Sequence, residues 1–225
     1  MKELIKVCKA LKIEINAEQE EKFLKYMESI LEWNEKVNLT AIKDRDEFIK
    51  KHYIDSIVIG AFKEFKEAKN IIDVGTGGGF PGVPLAILFP EKEFVLIDSL
   101  NKRIKIINEV CEELNIKNVR AIHSRAEDLA RDKNHRDKYD ICISRAVANL
   151  STLAEYCLPF VKTDGWFLPY KTEKAAEEIK LAEKAIEVLC GETIENRSTN
   201  VEGYDSNHQI IFIKKIKRTG KNYPR

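Results

Sequence analysis

Over the first 68 residues, apolar positions recur at the spacing of amphipathic helices. The first helix collects four apolar residues on one face: Leu4, Val7, Cys8 and Leu11. Asn16, with Gln19 three residues later, has the pattern of a capping box and predicts the start of a second helix. The predicted inward face of this second helix comprises Phe23, Leu24, Met27, Ile30 and Leu31. Residues 1–68 are therefore predicted to form a helical extension that packs on the rest of the chain.

From Asn70 onward, the pattern changes to short apolar runs that alternate with helical segments. Such alternation indicates a parallel sheet covered by helices on both faces. Strands are predicted at 71–74, 93–98, 119–122, 139–143 and 165–169, followed by two more, of which the last is 209–213. A helix is predicted over 174–190, with Gly191 as its stop. The predicted fold class is α/β: a doubly wound, mostly parallel seven-stranded sheet over residues 69–225.

The first predicted strand stops at a glycine-rich stretch, N-I-I-D-V-G-T-G-G-G-F-P-G, from Asn70 to Gly82. Glycines directly after a buried strand indicate a turn whose backbone approaches a ligand closely. A strand, a glycine turn and a helix N-terminus together form a common ligand cradle in parallel α/β proteins. A phosphate-binding loop would need Lys-Ser or Lys-Thr after its last glycine, whereas Val83 and Pro84 follow here. That template is excluded.

Two other glycine templates remain open. The dinucleotide fingerprint G-x-G-x-x-G matches at Gly77, Gly79 and Gly82, which would indicate a nicotinamide or flavin enzyme. The second template, an acidic residue followed by G-x-G-x-G, matches from Asp73 through Gly75 to Gly79 and begins directly off the strand. This placement resembles the pattern of class I S-adenosylmethionine (AdoMet) methyltransferases, whose sheet is Rossmann-like. Gly75, Gly77 and Gly79 are therefore candidate cofactor-binding residues.

Further candidates follow the other predicted strands. In open parallel sheets, ligands bind beyond the carboxyl ends of the strands. Asp98 ends the second strand about 20 residues after the glycine turn, which is the spacing at which an acid holds ribose hydroxyls. Ala126 and Glu127 follow the third strand, and Arg145 follows the fourth. These four residues are expected at the same edge of the sheet as the glycine turn.

Composition narrows the possible classes of protein. Lys and Arg number 38 against 37 Asp and Glu, so the net charge of +1 neither requires nor excludes a nucleic-acid partner. No apolar run reaches membrane-spanning length. The five cysteines are scattered, which predicts reduced residues in a cytosolic protein. The four histidines are isolated in the sequence, so no metal site is predicted.

Five motifs resemble the RsmG (GidB) family of bacterial small-subunit rRNA guanine-N7 methyltransferases. They are W-N-E-K-V-N-L-T (33–40), H-Y-I-D-S (52–56), D-V-G-T-G-G-G-F-P-G-V-P-L (73–85), S-R-A-E (124–127) and I-S-R-A-V-A (143–148). The resemblance extends from about Trp33 to the final Y-P-R. Phenylalanine-proline-glycine after the glycine run, and the arginine after the fourth strand, distinguish this family from class I methyltransferases in general.

The resemblance implies an enzyme that transfers a methyl group from AdoMet to N7 of a guanine in 16S rRNA. It places the cofactor site on Gly75, Phe80, Ala126, Glu127 and Arg145, while Asp98 is added from the strand pattern alone. Guanine N7 has a free lone pair, so a direct in-line displacement needs no general base, and Arg145 is expected to position the reactants. The expected partner is 16S rRNA or the small ribosomal subunit. We expect a cytoplasmic monomer without a metal or a membrane partner.

The last strand is followed by a basic C-terminal tail. Its predicted contacts to RNA phosphates are Lys217, Arg218, Lys221 and Arg225. Two alternative functions remain: a non-catalytic RNA-binding module on a methyltransferase-like fold, and a nicotinamide-dependent oxidoreductase. Four polar residues lie on otherwise apolar helical faces: Asn38, Thr40, His52 and Asp55. The sequence does not decide whether they form hydrogen bonds within the fold or have a functional role.

Overall fold

The computed structural model describes residues 1–201, 204–206 and 208–225. Its first part is helical, with α1 (Lys2–Ala10), α2 (Ala17–Asn34), α3 (Arg45–Phe48), α4 (Asp55–Ile57) and α5 (Lys63–Glu67). A π-helical stretch (Ile49–Ile54) joins α3 to α4, and a 3-10 helix (Val58–Ala61) follows α4. The helical character predicted for residues 1–68 is confirmed. Their treatment as a unit separate from residues 69–225 stays a prediction.

The start of α2 follows directly from its sequence. The Asn16 side chain accepts a hydrogen bond from the Gln19 N–H at 2.9 Å, and the Gln19 side chain accepts one from the Asn16 N–H at 3.0 Å. This reciprocal pair satisfies two N–H groups that a helix N-terminus would otherwise leave free. The predicted capping box is confirmed.

The buried face of α2 differs from the predicted one at Leu24, Tyr26 and Leu31, of which Leu31 is only half-buried. Phe23, Met27 and Ile30 are buried as predicted, but Leu24 is 38% exposed. Tyr26 is fully buried and donates its hydroxyl to the Gly78 carbonyl at 2.8 Å. Helical periodicity does not reveal this bond, because the partner lies 52 residues further along the chain.

Seven strands form one sheet. Their bounds are β1 (Asn70–Val74), β2 (Glu93–Asp98), β3 (Val119–His123), β4 (Tyr139–Arg145), β5 (Val161–Lys171), β6 (Gly191–Ser198) and β7 (Gln209–Lys215). They are ordered β3-β2-β1-β4-β5-β7-β6. Strands β1 to β5 pair in parallel, whereas β7 runs antiparallel to both β5 and β6. The predicted mostly parallel, doubly wound α/β class is confirmed, and the strand order reverses at β1 and β4.

Helices connect the strands. Their bounds are α6 (Gly82–Leu88), α7 (Asn101–Glu113), α8 (Ala126–Leu129), α9 (Leu150–Cys157) and α10 (Ala175–Val188). The prediction that Gly191 stops the last helix is wrong, because the left-handed residue is Cys190, with φ of 66°. Gly191 is instead the first residue of β6. A Cβ added there would lie 2.9 Å from Ile186, so packing against α10 requires the glycine.

Neighbouring residues of the central strand face two different cores. Ile71 packs in a hydrophobic cluster with residues of the N-terminal helices, including Phe23 and Tyr53. Ile72 packs in the cluster on the other face, beneath α9 and α10. Since successive side chains of a strand point to opposite faces, this is the arrangement expected for a covered sheet. The N-terminal helices therefore form one of the two layers of the fold.

The C-terminal tail packs against the protein. Lys215 lies within β7, is fully buried, and donates its ammonium group to Thr219 Oγ1 at 2.6 Å and to the carbonyl of Leu158. Burial lowers the pKa of Lys215 to about 8. The Arg136 guanidinium donates to the carbonyls of Tyr223 and Thr219, both at 2.9 Å. The tail is therefore part of the folded structure, although Lys217, Arg218, Lys221 and Arg225 are exposed.

Truncation of the chain after Lys217 should therefore reduce stability. It removes Thr219 from the buried Lys215 ammonium and removes the carbonyl groups that bind Arg136. Each lost hydrogen bond to a charged group is worth about 1.5–3 kcal/mol, so urea unfolding should show a loss of at least about 2 kcal/mol. The double variant Lys217→Gln/Lys221→Gln is the control and should stay within about 0.5 kcal/mol of the parent. Equal stability of the truncated and full-length chains would show that the tail is only a solvated end.

Candidate active site

Most N–H groups of the loop between β1 and α6 donate hydrogen bonds within the protein. Gly75 and Thr76 donate to the Ile97 carbonyl at 2.9 and 3.0 Å. The Gly77 N–H donates to the Asp98 carboxylate at 3.0 Å. A pyrophosphate site needs such N–H groups to point at the ligand. The glycine loop is therefore poorly suited to hold the phosphates of a dinucleotide.

A buried carboxylate lies beneath this loop. Asp73 is fully buried, and its Oδ2 accepts hydrogen bonds from Thr76 Oγ1 at 2.7 Å and from the Gly82 N–H at 2.9 Å. Among the described residues, its Oδ1 has no hydrogen-bond partner. Burial raises the pKa of Asp73 to about 6, against the effect of these two bonds. At neutral pH, the floor of the loop thus carries a negative charge that favours a cationic ligand.

The glycines of the loop adopt left-handed conformations, with φ of 73° at Gly75, 60° at Gly77 and 89° at Gly79. A Cβ at Gly79 would collide with the Tyr26 hydroxyl, and one at Gly75 would collide with the Val147 side chain. The close approach predicted toward a ligand is thus, at these two positions, an approach to protein side chains. At Gly77, no described atom lies within 4 Å of the added Cβ, so this glycine faces open space.

A cavity of about 200 Å³ lies at the carboxyl ends of β1, β2 and β3. It brings together four of the predicted site residues: Gly75, Asp98, Ala126 and Glu127. Val147 and Tyr156 complete its wall on the side of α9. Ala126 begins α8, and the Glu127 carboxylate pairs with Arg125 at 3.1 Å. The sequence pattern therefore placed these residues at the correct edge of the sheet, while their contacts to a cofactor stay predictions.

Asp98 is engaged within the fold. Its Oδ1 accepts from the Leu100 N–H at 2.8 Å, and its Oδ2 accepts from the Gly77 N–H and from Arg103 at 3.3 Å. The side chain is only 5% exposed. Asp98 thereby ties the end of β2 to the glycine loop, which is a role that the sequence did not indicate. Its predicted contact to ribose hydroxyls stays a prediction.

Phe80 turns its ring toward the N-terminal helices. The ring stacks on His52, with centroids 4.2 Å apart and planes 6° from parallel. It also meets Phe48 edge-on at 5.5 Å and Tyr26 at 6.1 Å. Phe80 is 5% exposed, so little of this side chain is accessible to a ligand. Phe80 therefore joins the glycine loop to the helical layer.

Arg145 closes this cluster from the end of β4. Its guanidinium donates to the Lys51 carbonyl at 2.8 Å and to His52 Nδ1 at 3.1 Å. With Nδ1 accepting, the proton of the neutral imidazole is assigned to Nε2, which lies 2.6 Å from Thr40 Oγ1. Burial, and then the charge of Arg145, lower the pKa of His52 to about 3. His52 is therefore neutral at physiological pH and orients Arg145 by hydrogen bonding.

A second cavity, of about 310 Å³, lies on the Arg145 side of the loop that follows β4. Val147 lines both this cavity and the one beside Asp98. Lys171 supports the loop by donating to the Ala148 carbonyl at 2.7 Å and pairing with Glu178 at 2.8 Å. The two cavities are adjacent and lie at the carboxyl ends of the parallel strands, where ligands bind in sheets of this kind.

Several residues of this site were not predicted from the sequence. Tyr26 and Val147 each fill the space next to a loop glycine, and Lys171 supports the loop after β4. His52 was singled out as a polar residue on an apolar face, and this was the available signal for its contact with Arg145. Asp55, flagged for the same reason, accepts hydrogen bonds from Tyr204 at 2.9 Å and from Ser206 at 3.0 Å.

The site fits AdoMet better than a dinucleotide. AdoMet is a sulfonium cation, and the buried carboxylate of Asp73 supplies the complementary charge. Within residues 1–201, 204–206 and 208–225, no group of three or more His, Cys, Asp or Glu side chains could hold a metal ion. In the same part of the chain, no helix is long and apolar enough to cross a membrane. The residues that could hold the cofactor are those around the cavity beside Asp98.

The chain is similar to known proteins over almost its full length. A family profile described as rRNA small subunit methyltransferase G matches residues 19–208. The ribosomal RNA small subunit methyltransferase G of Clostridium botulinum (strain Eklund 17B / Type B) is 51% identical over 222 residues, covering 97% of this chain and 93% of that protein. The protein of the same name from Clostridium perfringens (strain 13 / Type A) is 47% identical over 220 residues, covering 98% and 92%.

Solved structures share the fold. An O-methyltransferase family protein from Burkholderia thailandensis superposes with a TM-score of 0.59, covering 76% of this chain and 58% of that one. Its sequence identity to this chain is 10%. At this identity, the likeness shows that the chain has the class I methyltransferase fold and says nothing about its substrate.

The state of His52 leads to a pH-dependent prediction. Its pKa is about 3 when folded and about 6.5 when unfolded, so between these values only the unfolded chain takes up the proton. The stability associated with neutral His52 is thus present above pH 6.5 and is lost as the pH falls. In urea unfolding from pH 7.5 to pH 5, the parent should lose up to about 2 kcal/mol more than His52→Gln, which cannot titrate. Parallel curves for the two proteins would show that the imidazole is not held neutral.

Proposed function

The chain belongs to the rRNA small subunit methyltransferase G (GidB) family, and from this we propose that it transfers a methyl group from AdoMet to N7 of a guanine in 16S rRNA. Besides the family, the observation that carries the proposal is the glycine loop, in which the N–H groups of Gly75, Thr76 and Gly77 donate within the protein and the buried Asp73 carboxylate accepts from Gly82. That arrangement favours a sulfonium cofactor over a nicotinamide dinucleotide. We propose that the enzyme acts as a monomer in the cytoplasm.

AdoMet, when bound, supplies a methyl group that is activated by its sulfonium charge. The acceptor nitrogen already carries a lone pair, so no side chain has to remove a proton before the transfer. We assign the protein an orienting role, in which Gly75, Gly77, Asp98, Ala126 and Glu127 hold the cofactor beside the second cavity. Holding two reactants in line at contact distance supplies much of the rate enhancement in such reactions.

Arg145 lines the second cavity, next to the loop whose Val147 lines both cavities. Two of its N–H groups are held by Lys51 and His52, which fixes the plane of the guanidinium. The remaining N–H groups are suited to the planar carboxylate of the methionine part of AdoMet. A bidentate contact to guanine O6 and N7 would block the acceptor atom, so we favour the carboxylate.

The RNA side of the site is proposed to comprise the loop after β4 and the neighbouring N-terminal helices. N7 lies in the deep, narrow major groove of an RNA helix, so the guanine has to be presented from a loop or extruded. Four tail cations are proposed to contact phosphates: Lys217, Arg218, Lys221 and Arg225. Arg225 is also paired with Glu155 at 3.0 Å, which reduces its expected share.

Primer extension across 16S rRNA after N7-specific cleavage tests the proposal, in cells with and without this protein. We expect one guanine to be cleaved only when the protein is present, and its cleavage to return when the gene is restored. A protein that binds RNA without this cleavage would be the non-catalytic module. An oxidoreductase would leave the rRNA unchanged.

The role of Asp73 can be separated from its effect on folding with Asp73→Asn. The amide keeps an acceptor for Thr76 and Gly82 but removes the buried charge, whose pKa is raised to about 6. The variant should be more stable than the parent at pH 7.5, by about 1 kcal/mol or more, because the cost of burying the charge is removed. It should nevertheless bind AdoMet at least about tenfold more weakly. Stability is measured by urea unfolding and affinity by calorimetry. Unchanged affinity in a folded variant would remove the charge argument.

Arg145→Lys keeps the charge but loses the planar fork. We expect the AdoMet dissociation constant to rise about tenfold, the scale of one hydrogen bond to a charged group. Arg103→Lys, which changes a partner of Asp98 and leaves the second cavity unaltered, is the matched control and should have a smaller effect. Normal AdoMet binding by Arg145→Lys together with lost methyl transfer would assign Arg145 to the RNA side instead.

A further inference from the structure

A groove of about 720 Å³ lies between the docked tail and the segment that precedes β4. Six cationic side chains and one acidic side chain line it. The cations are Arg131, Lys133, Arg136, Lys138, Arg218 and Lys221. The net charge of the whole chain is only +1, so this groove concentrates positive charge that is balanced elsewhere on the surface.

Two of these cations build the groove. Arg136 binds four carbonyl groups, one of Ala130 and three of the tail. Arg131 donates to the Pro224 carbonyl at 2.7 Å. These bonds hold the tail against the segment before β4, so the two walls of the groove are fixed by the fold. Their guanidinium groups keep their charge while serving this structural role.

The other four cations are available to a ligand. Lys133, Lys138, Arg218 and Lys221 are all exposed. Arg218 lies 4.0 Å from Asp137, at the limit of an ion pair. The side chains come from two separate stretches of sequence, yet they face one groove. Such an array fits a chain of phosphates rather than a single anion, because the charges are spread along the walls.

The groove lies at the opposite end of the sheet from the two cavities of the active site. Lys138 directly precedes β4, and Arg145 ends it. Six residue steps at about 3.3 Å each separate Tyr139 from Arg145, so the two ends of β4 are roughly 20 Å apart. A nucleotide extruded toward Arg145 therefore cannot itself occupy the groove. Any RNA in the groove must be a different part of the molecule.

We propose that this groove is a second RNA-binding site, which holds the phosphate backbone of a segment distant from the target guanine. The inference rests on the proposed function for the identity of the RNA. It extends that function, because the basic tail and the segment that carries Lys133 and Lys138 act together as the two walls of one groove. Contacts of this kind position the enzyme on its substrate without reading sequence.

The test compares two triple variants that remove the same charge. The groove variant is Lys133→Gln/Lys138→Gln/Lys221→Gln, which leaves Arg131 and Arg136 and hence the docked tail intact. The control is Lys117→Gln/Lys180→Gln/Lys184→Gln, whose lysines are exposed and lie outside the groove. Binding to full-length 16S rRNA transcript is measured between about 50 and 200 mM salt, the range over which the affinity of phosphate contacts falls steeply.

The groove variant should show a slope of log affinity against log salt that is shallower by about 2 to 3, one unit for each lost phosphate contact. Its KM for the RNA should rise while kcat and AdoMet affinity stay unchanged. The control variant should keep the slope of the parent. If the groove variant showed the same slope as the control, or if its kcat alone fell, the proposal would be overturned. If the parent binds RNA with the steeper slope but transfers no methyl group, the proposed function fails while the groove assignment stands.

Discussion

The buried carboxylate of Asp73 is the constraint on which the site depends. It lies at the end of the central strand, where it holds Thr76 and the first residue of α6 and so closes the glycine loop over itself. Burying this charge is costly, since its pKa is raised to about 6. A ligand with positive charge offsets that cost, whereas a phosphate would add to it. The chemistry of the loop thus follows from one residue beneath it.

The N-terminal helices determine how the loop and Arg145 are presented. Tyr26 fills the space beside Gly79 and binds the Gly78 carbonyl, while His52 stacks on Phe80 and accepts from Arg145. The class I sheet alone would leave both the loop and the guanidinium without these supports. The helical layer is therefore part of the active site as well as part of the core. This explains why polar residues occur on its otherwise apolar faces.

Much of the fold could be predicted from the sequence, because its buried strands are short, uninterrupted apolar runs. β2 matches its predicted bounds. The errors arise where tertiary contacts override local preference. The periodicity of α2 did not show that Tyr26 is buried while Leu24 is exposed. Gly191 was predicted to stop a helix, whereas a glycine is needed there because a Cβ would collide with Ile186. The docking of the tail was not predicted, because its carbonyls are bound by Arg131 and Arg136, which lie far away in sequence.

The candidate site was predictable to a similar degree. The rule that ligands bind at the carboxyl ends of parallel strands placed Gly75, Asp98 and Glu127 around one cavity. It could not show that Asp98 binds the loop, or that Val147 lies over Gly75, because both depend on side-chain packing.

The most direct test of the central claim is calorimetric titration of the purified protein with AdoMet and with NAD⁺ at about pH 7.5. This pH lies above the value of about 6 to which the pKa of Asp73 is raised, so the carboxylate is charged. A loop with a carboxylate floor and engaged N–H groups predicts saturable binding of AdoMet and none of NAD⁺. Binding of NAD⁺ that AdoMet displaces would contradict it.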